Sequence, residues 1–438
     1  MIGFSSVARI SSSVFGALSP AESFIASIID WSGELDPVGL FYNCQTSFKT
    51  ALAAEQVQWV SRNVSADPFY DSPKNLSAYA AGDVVRWEEL PPEIVSKEWS
   101  IPPGTTLSRF LYMSEDLNGR PIPISGFVLL PYANPAGDDA PLQTVAWAHG
   151  TAGGTRQCAP SNHRALYYSW EGPFTLVQQG YAVVAPDYAG QGSDIPQGFM
   201  YEAGALHAAD ISFAIVAARK VLRRRISHEW VARSGTAVGG FLGAVSGAPA
   251  LRPLSLIPRS FRLAGDGPVG DVVSIYVLQS IARLLPSIRV GDYVSDIVAS
   301  RIPLADQGCL QTGSALYGNL TVTELYKNIS WLHHPDVVDW ETRYNGAGPH
   351  RLAAPMLVVQ GLNDTLTYAD LAEQDFDRTC RAFPDTAAQY LRYPGLGHDP
   401  AFIVAQAQYL PWIRDRFDHM AISSCKKSTI YTLTSSPT

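Results

Sequence analysis

Five short apolar runs in this 438-residue chain each lead into a turn marked by glycine or a polar residue, and segments of helical periodicity lie between them. Residues 143–148 lead into His149-Gly150, and residues 181–186 into Asp187. Residues 230–234 lead into Gly235, residues 353–360 into Gly361-Leu362-Asn363-Asp364, and residues 387–393 into Gly395-Leu396-Gly397-His398. Helical segments are expected over 172–179, over 207–222 with Ala208, Ile211, Ile215, Ala218 and Val221 on one face, and over 401–417. Apolar strands alternating with helices define an α/β class, a mostly parallel sheet with helices on both faces. In such sheets chemistry gathers at the carboxyl ends of the strands. His149, Ala237, Asp364 and His398 all lie just beyond such ends.

The rest of the chain organises around this core. Residues 107–115 and 121–130 read as a hairpin turned at Asn118-Gly119. Residues 251–350 break the rhythm with apolar, Pro- and Gly-punctuated helical segments, as a cap or lid inserted before the fourth run would. The expected division is an N-terminal extension over 1–85, a discontinuous core over 86–250 and 351–425, the cap over 251–350, and a frayed tail over 426–438. Helices are expected near 21–31 and 48–64 of the extension, before Pro68 and Pro73.

A net charge of −8 without a long basic run argues against nucleic acid as a partner, and Arg223-Arg224-Arg225 reads as the solvated end of a helix. No apolar stretch reaches membrane-spanning length. The first 30 residues lack a compact apolar region with a clear cleavage site, which leaves both a secretory and a cytoplasmic location open. Asn-x-Ser/Thr sequons occur at Asn63, Asn75, Asn319, Asn328 and Asn363, a pattern short enough to arise by chance. Cys44, Cys158, Cys309, Cys380 and Cys425 form no C-x-x-C pair, and the residues alone are equally consistent with five inert thiols. No metal or cofactor is expected. His333-His334-Pro335-Asp336 offers no recognisable third ligand, and Gly190-Gln191-Gly192-Ser193 lacks the lysine of a phosphate loop.

The third apolar run enters Gly235-Thr236-Ala237-Val238-Gly239-Gly240, the frame of a G-x-S-x-G nucleophile elbow followed by a small-residue helix. Ala237 occupies the serine position and offers no attacking atom. Ser234 and Thr236 are the nearby hydroxyls, and neither sits at the apex of the turn. Downstream, Asp364 and His398 follow in the order nucleophile, acid, base. A carboxylate that fixes the tautomer of a histidine is what a general base requires. The glycine-rich loop after residue 148, with Gly153, presents backbone N–H groups that can join that of Val238 in an oxyanion hole.

Several of these stretches together resemble the secretory lipases of fungi and some bacteria. They are Asp67-Pro68-Phe69-Tyr70 with Pro73, the hairpin, Val145-Ala146-Trp147-Ala148-His149-Gly150-Thr151, Cys158-Ala159-Pro160-Ser161, and Tyr181-Ala182-Val183-Val184-Ala185-Pro186-Asp187-Tyr188. The resemblance runs from about 67 to 425. It implies a capped α/β-hydrolase fold acting on carboxylic esters of apolar acyl or small-molecule substrates, a monomer, and passage through the secretory pathway. It further implies Gly153 and Val238 as oxyanion donors, Asp364 as acid, His398 as base, and disulfides Cys158–Cys309 and Cys380–Cys425. The departure is the elbow, where that family shows a Gly-His-Ser-Gln-Gly-Gly-like run and this chain has Ala237. Three functions follow from the sequence. One is ester hydrolysis despite Ala237. Another is elimination, isomerisation or cyclisation by the His398/Asp364 pair, which needs no serine. The third is ligand binding by a catalytically dead homologue.

Overall fold

The computed structural model describes residues 44–137, 139–232, 239–270, 272–422 and 424–432. Ten strands form one sheet in the order β1-β2-β3-β5-β4-β6-β7-β8-β9-β10. They are β1 (Val84–Glu89), β2 (Thr105–Glu115), β3 (Pro121–Pro131), β4 (Leu142–Ala146), β5 (Ala182–Pro186), β6 (Ile226–Ala232), β7 (Phe241–Gly247), β8 (Met356–Gly361), β9 (Ala388–Tyr393) and β10 (Lys426–Thr429). The first three pair antiparallel, as does β3 with β5. From β5 through β10 every pairing is parallel. The expected mostly parallel sheet is therefore present, and the hairpin turns at Gly119 with φ of 72°.

Helices before β4 are α1 (Gln45–Gln56) and α2 (Pro92–Glu98). Next come α3 (Pro173–Gln178) and α4 (Gly204–Leu222), then α5 (Pro253–Ala264), α6 (Val273–Leu284), α7 (Asp296–Ala305), α8 (Leu310–Tyr317), α9 (Val322–Leu325) and α10 (Pro335–Trp340). The last are α11 (Ala369–Ala382), α12 (His398–Val404) and α13 (Gln406–Phe417). The period-2 alternation of the strands divides the core into two layers. Val145, Val183, Val231, Val245, Leu357 and Val359 pack with α3 and α13. Ala146, Ala182, Val184, Trp230 and Ala232 face the layer that holds α4. On α4, Ile211, Ile215 and Ala218 are buried as the periodicity predicts, but Leu222 rather than Val221 completes the stripe.

Three expectations are corrected here. The small-residue helix expected after the elbow is instead β7, a strand paired with β6 through Trp230↔Phe241 and with β8 through Ala244↔Met356. Its Leu242, Gly243, Ala244 and Val245 are small or apolar enough for either state, and hydrogen bonding from both flanking strands decides the outcome. The tail does not fray at 426, because Lys426–Thr429 pairs with the open edge of β9. Lys427 is held there by Glu373 and Asp377. The helix expected over 48–64 of the extension differs in its bounds and packs into the core. Phe48 and Leu52 of α1 are fully buried in it, and the helix ends at Gln56 rather than 64. The helix expected at 21–31 lies outside the described residues.

Between β7 and β8 the described chain forms helices and turns with one isolated antiparallel bridge, Val294 to Tyr326. Cys158–Cys309 joins α8 to the loop after β4, and Cys380–Cys425 joins α11 to β10. Both pairings are those the resemblance implied. Cys44 is buried and takes part in neither disulfide. No helix among the described residues is long and apolar enough to cross a membrane.

Candidate functional site

The loops after β8 and β9 are fastened to each other before either presents a side chain. Leu362 N donates to Tyr393 O at 3.0 Å, and Asn363 N to Leu396 O at 3.0 Å. Gly361 permits this approach, since a Cβ there would lie 2.4 Å from Leu396 O and 2.5 Å from Gly397 O. The result brings Asp364 and His398, 34 residues apart, to a hydrogen bond of 2.8 Å from His398 Nδ1 to Asp364 Oδ2.

Asp364 is buried and saturated with donors. Oδ1 accepts from Leu366 N at 2.8 Å and Thr367 N at 3.0 Å. Oδ2 accepts from Gln360 Nε2 at 2.9 Å and Thr367 Oγ1 at 2.8 Å in addition to His398. Burial by itself would push the carboxyl up. The hydrogen bond and charge of His398, with the N–H groups of Thr367 and Leu366, outweigh it and bring the pKa down to about 2. Asp364 is therefore an ionised anchor. When His398 is in its neutral form with Nδ1–H donated to Asp364, its lone pair lies on Nε2, and the side chain is partly exposed.

Residues 149–153, after β4, make the second feature. Every carbonyl in this loop accepts a hydrogen bond. His149 O accepts from Tyr188 Oη at 3.2 Å, Gly150 O faces His149 Nδ1 at 2.7 Å, and Thr151 O accepts from Tyr168 Oη at 3.1 Å. Ala152 O accepts from Tyr167 Oη at 2.7 Å and from Leu310 N at 3.0 Å, and Gly153 O from Gln191 Nε2 at 2.9 Å. Among the described residues no acceptor meets the N–H groups of Gly150, Thr151, Ala152 or Gly153. Successive backbone N–H groups without acceptors are the kind of donors that can receive an anion. Gly153 itself packs on the Cys158–Cys309 bridge, where a Cβ would fall 2.5 Å from Cys158 Sγ.

Beneath the loop lies a buried network that sequence reasoning missed. Asp187 accepts from Ser161 N, Ser161 Oγ and Ser125 Oγ at 2.8, 2.5 and 2.7 Å. Tyr70 Oη bonds Ser161 Oγ at 2.8 Å, and Asp187 O lies 3.2 Å from His149 Nε2. Burial raises the Asp187 carboxyl to about 6 against these donors. Asp67 Oδ1 accepts from Phe69 N, and its Oδ2 meets Arg109, whose guanidinium lies 4.1 Å over the Phe69 ring. The Asp67-Pro68-Phe69-Tyr70 stretch thus buttresses Ser161 and Asp187. An aspartate placed directly after a fully apolar run was the available signal for this network.

The elbow residues Ser234, Gly235, Thr236, Ala237 and Val238 lie outside the described residues. Their flanks are described, and they bear on the motif. A nucleophile elbow is a strand, a tight turn and a helix. Here Ala232 ends one strand and Phe241 begins the next, parallel to it, so only residues 233–240 connect them. Parallel neighbours are ordinarily joined by a dozen or more residues, usually containing a helix. His334 N-caps α10, its Nδ1 accepting from Asp336 N at 3.3 Å.

Sheet order, parallel pairing and the two strand-end loops define the α/β-hydrolase fold. The likeness to solved structures agrees. Lipase A of Candida antarctica in its closed state superposes with a TM-score of 0.65 and 16% identity, over 82% of this chain and 88% of the lipase. The rice cell wall degrading esterase LipA of Xanthomonas oryzae gives 0.58 and 17%, over 77% of this chain and 100% of that one. No family model and no curated protein matches the sequence.

Proposed function

We propose that this protein is a lipase- or esterase-like hydrolase of apolar carboxylic esters that works without an acyl-enzyme. His398, oriented by the ionised Asp364, takes a proton from water at Nε2. The resulting hydroxide attacks the ester carbonyl, and the oxyanion accepts from the N–H groups of Gly150–Gly153, Gly153 and Val238 being the donors the family resemblance names. His398 then returns the proton to the departing alkoxide, leaving the carboxylic acid. Ala237 takes no chemical part. The helical stretch 251–350 caps the pocket and selects the ester, and the two disulfides favour a secretory protein, which is expected to act as a monomer.

The observation that carries this reading is the 2.8 Å His398–Asp364 hydrogen bond on a carboxylate held by four further donors. A site that only binds has no need of so well-fixed a base. The short 233–240 connection favours chemistry that bypasses the elbow. Loss of one triad member leaves roughly 10³–10⁴-fold acceleration over water from the remaining parts, so hydrolysis is expected to be slow. The test is p-nitrophenyl butyrate turnover by the wild type and by His398→Ala. Slow hydrolysis abolished by the substitution supports the reading. No hydrolysis, with tight binding of the ester, would favour the binding function, and conversion of the ester without acid release would favour elimination, isomerisation or cyclisation.

A further inference from the structure

Three of the groups that tie down the 149–153 loop are tyrosine hydroxyls. We propose that Tyr167, Tyr168 and Tyr188 are positioning residues that aim the loop's N–H groups at the anion formed in the site. The inference rests on the donor-loop reading above. The link is the planar trans peptide, in which the carbonyl of one residue and the N–H of the next point in opposite directions. Fixing His149 O through Tyr188 fixes Gly150 N–H. Fixing Thr151 O through Tyr168 fixes Ala152 N–H, and fixing Ala152 O through Tyr167 fixes Gly153 N–H. Gly150 N–H and Ala152 N–H are each set by one hydroxyl, and Gly153 N–H by Tyr167 together with Leu310 N.

The backbone that delivers these hydroxyls is itself unusual. Leu166, Tyr167, Ser169 and Tyr188 have φ of 50°, 65°, 39° and 68°, the left-handed region that side-chain-bearing residues rarely adopt. Such conformations persist only where their surroundings impose them, and they gather at functional sites. The rings are clamped to match. Tyr188 lies between His149 and His207, with centroids 4.2 Å from each. Tyr168 packs on Trp147 at 5.6 Å, and Tyr167 on His163 at 5.2 Å. Aromatic packing therefore survives a Tyr→Phe change, which removes the hydroxyl that donates to the loop carbonyl.

The experiment is a high-resolution crystal structure of the Tyr167→Phe/Tyr168→Phe double variant and of Tyr188→Phe, beside p-nitrophenyl butyrate kinetics. In the double variant the peptide at Thr151 or Ala152 should rotate, turning a carbonyl inward. Its kcat should fall about tenfold with KM nearly unchanged, the loss expected of two neutral hydrogen bonds whose effect is felt in the transition state. Tyr188→Phe is expected to rotate the His149 peptide. Carbonyls that hold their places in both variants overturn the proposal, whatever happens to the rate. If the carbonyls rotate but the parent protein shows no hydrolysis, the positioning role stands and the hydrolytic reading falls.

Discussion

Replacing Asp364 with asparagine tests the site through stability as well as rate. The ordinary aspartate pKa of 3.8 falls to about 2 in the fold. At about 1.4 kcal/mol for each tenfold change in proton affinity, the ionised form contributes about 2 kcal/mol to folding. The folded value is depressed, so this contribution is fully present above pH 4 and disappears as pH falls toward 2. Asparagine removes it and adds a pH-independent cost. Its amide nitrogen would oppose Gln360 Nε2, a donor that now points at Asp364 Oδ2, for about 1 kcal/mol more. Urea denaturation followed by tryptophan fluorescence should therefore show Asp364→Asn weaker by about 3 kcal/mol at pH 7. The gap should narrow to about 2 kcal/mol near pH 2.5, where the folded-state carboxyl is still partly ionised, and approach about 1 kcal/mol only below pH 2. A gap of the same size at both pH values would refute the charge argument. Any hydrolysis should drop by up to about 10⁴-fold, the loss expected when the histidine is left in the wrong tautomer.

The wild-type protein should resist labelling by a fluorophosphonate probe. Ala237→Ser should remain unlabelled too, because β7 follows where an elbow needs a helix, and covalent labelling of that variant would restore the elbow reading. Removing Cys158–Cys309, which closes a separation of 151 residues, should cost about 4–5 kcal/mol in the chain-entropy model, read as the shift in urea midpoint of Cys158→Ser/Cys309→Ser. Glu55→Ala should destabilise by about 2–4 kcal/mol, the cost of several buried donors left unmet. Glu55 now accepts from Cys309 N, Gln311 N, Thr312 N and Thr312 Oγ1, and an unchanged melting temperature would contradict that.

Much of the fold was legible because short apolar runs ending in glycine or polar residues mark buried parallel strands, and the order of Asp364 and His398 marked their pairing. The β7 segment was misread for a definite reason. Phe241 through Gly247 carries no periodicity that separates a small-residue helix from a strand buried on both faces, and only the two neighbouring strands settle it. β10 escaped notice because its four residues are polar and depend on the open β9 edge, the Cys425 bridge and the Lys427 ion pairs. The tyrosine hydroxyls were invisible for a similar reason. Tyr167 and Tyr188 act across the fold on the 149–153 loop, and nothing in their local sequence reports a hydrogen bond to a distant carbonyl.

The N-terminus of α8 has a mechanical consequence. Cys309 is bonded to Cys158, Leu310 N to Ala152 O, and the next two N–H groups to Glu55 of α1. A helical segment anchored this way cannot lift off as one rigid plate, since that motion would drag the 149–153 loop out of shape. Under the proposed function, substrate admission would then resemble a flap pivoting on a fixed post. α8 is the post, and α6 is tied to it, since Tyr276 Oη donates to Cys309 O at 3.4 Å; any travel falls to a helix farther from the bridge, such as α5. On that reading an entrance would widen for a larger ester independently of the 149–153 loop, whose N–H groups would keep their aim.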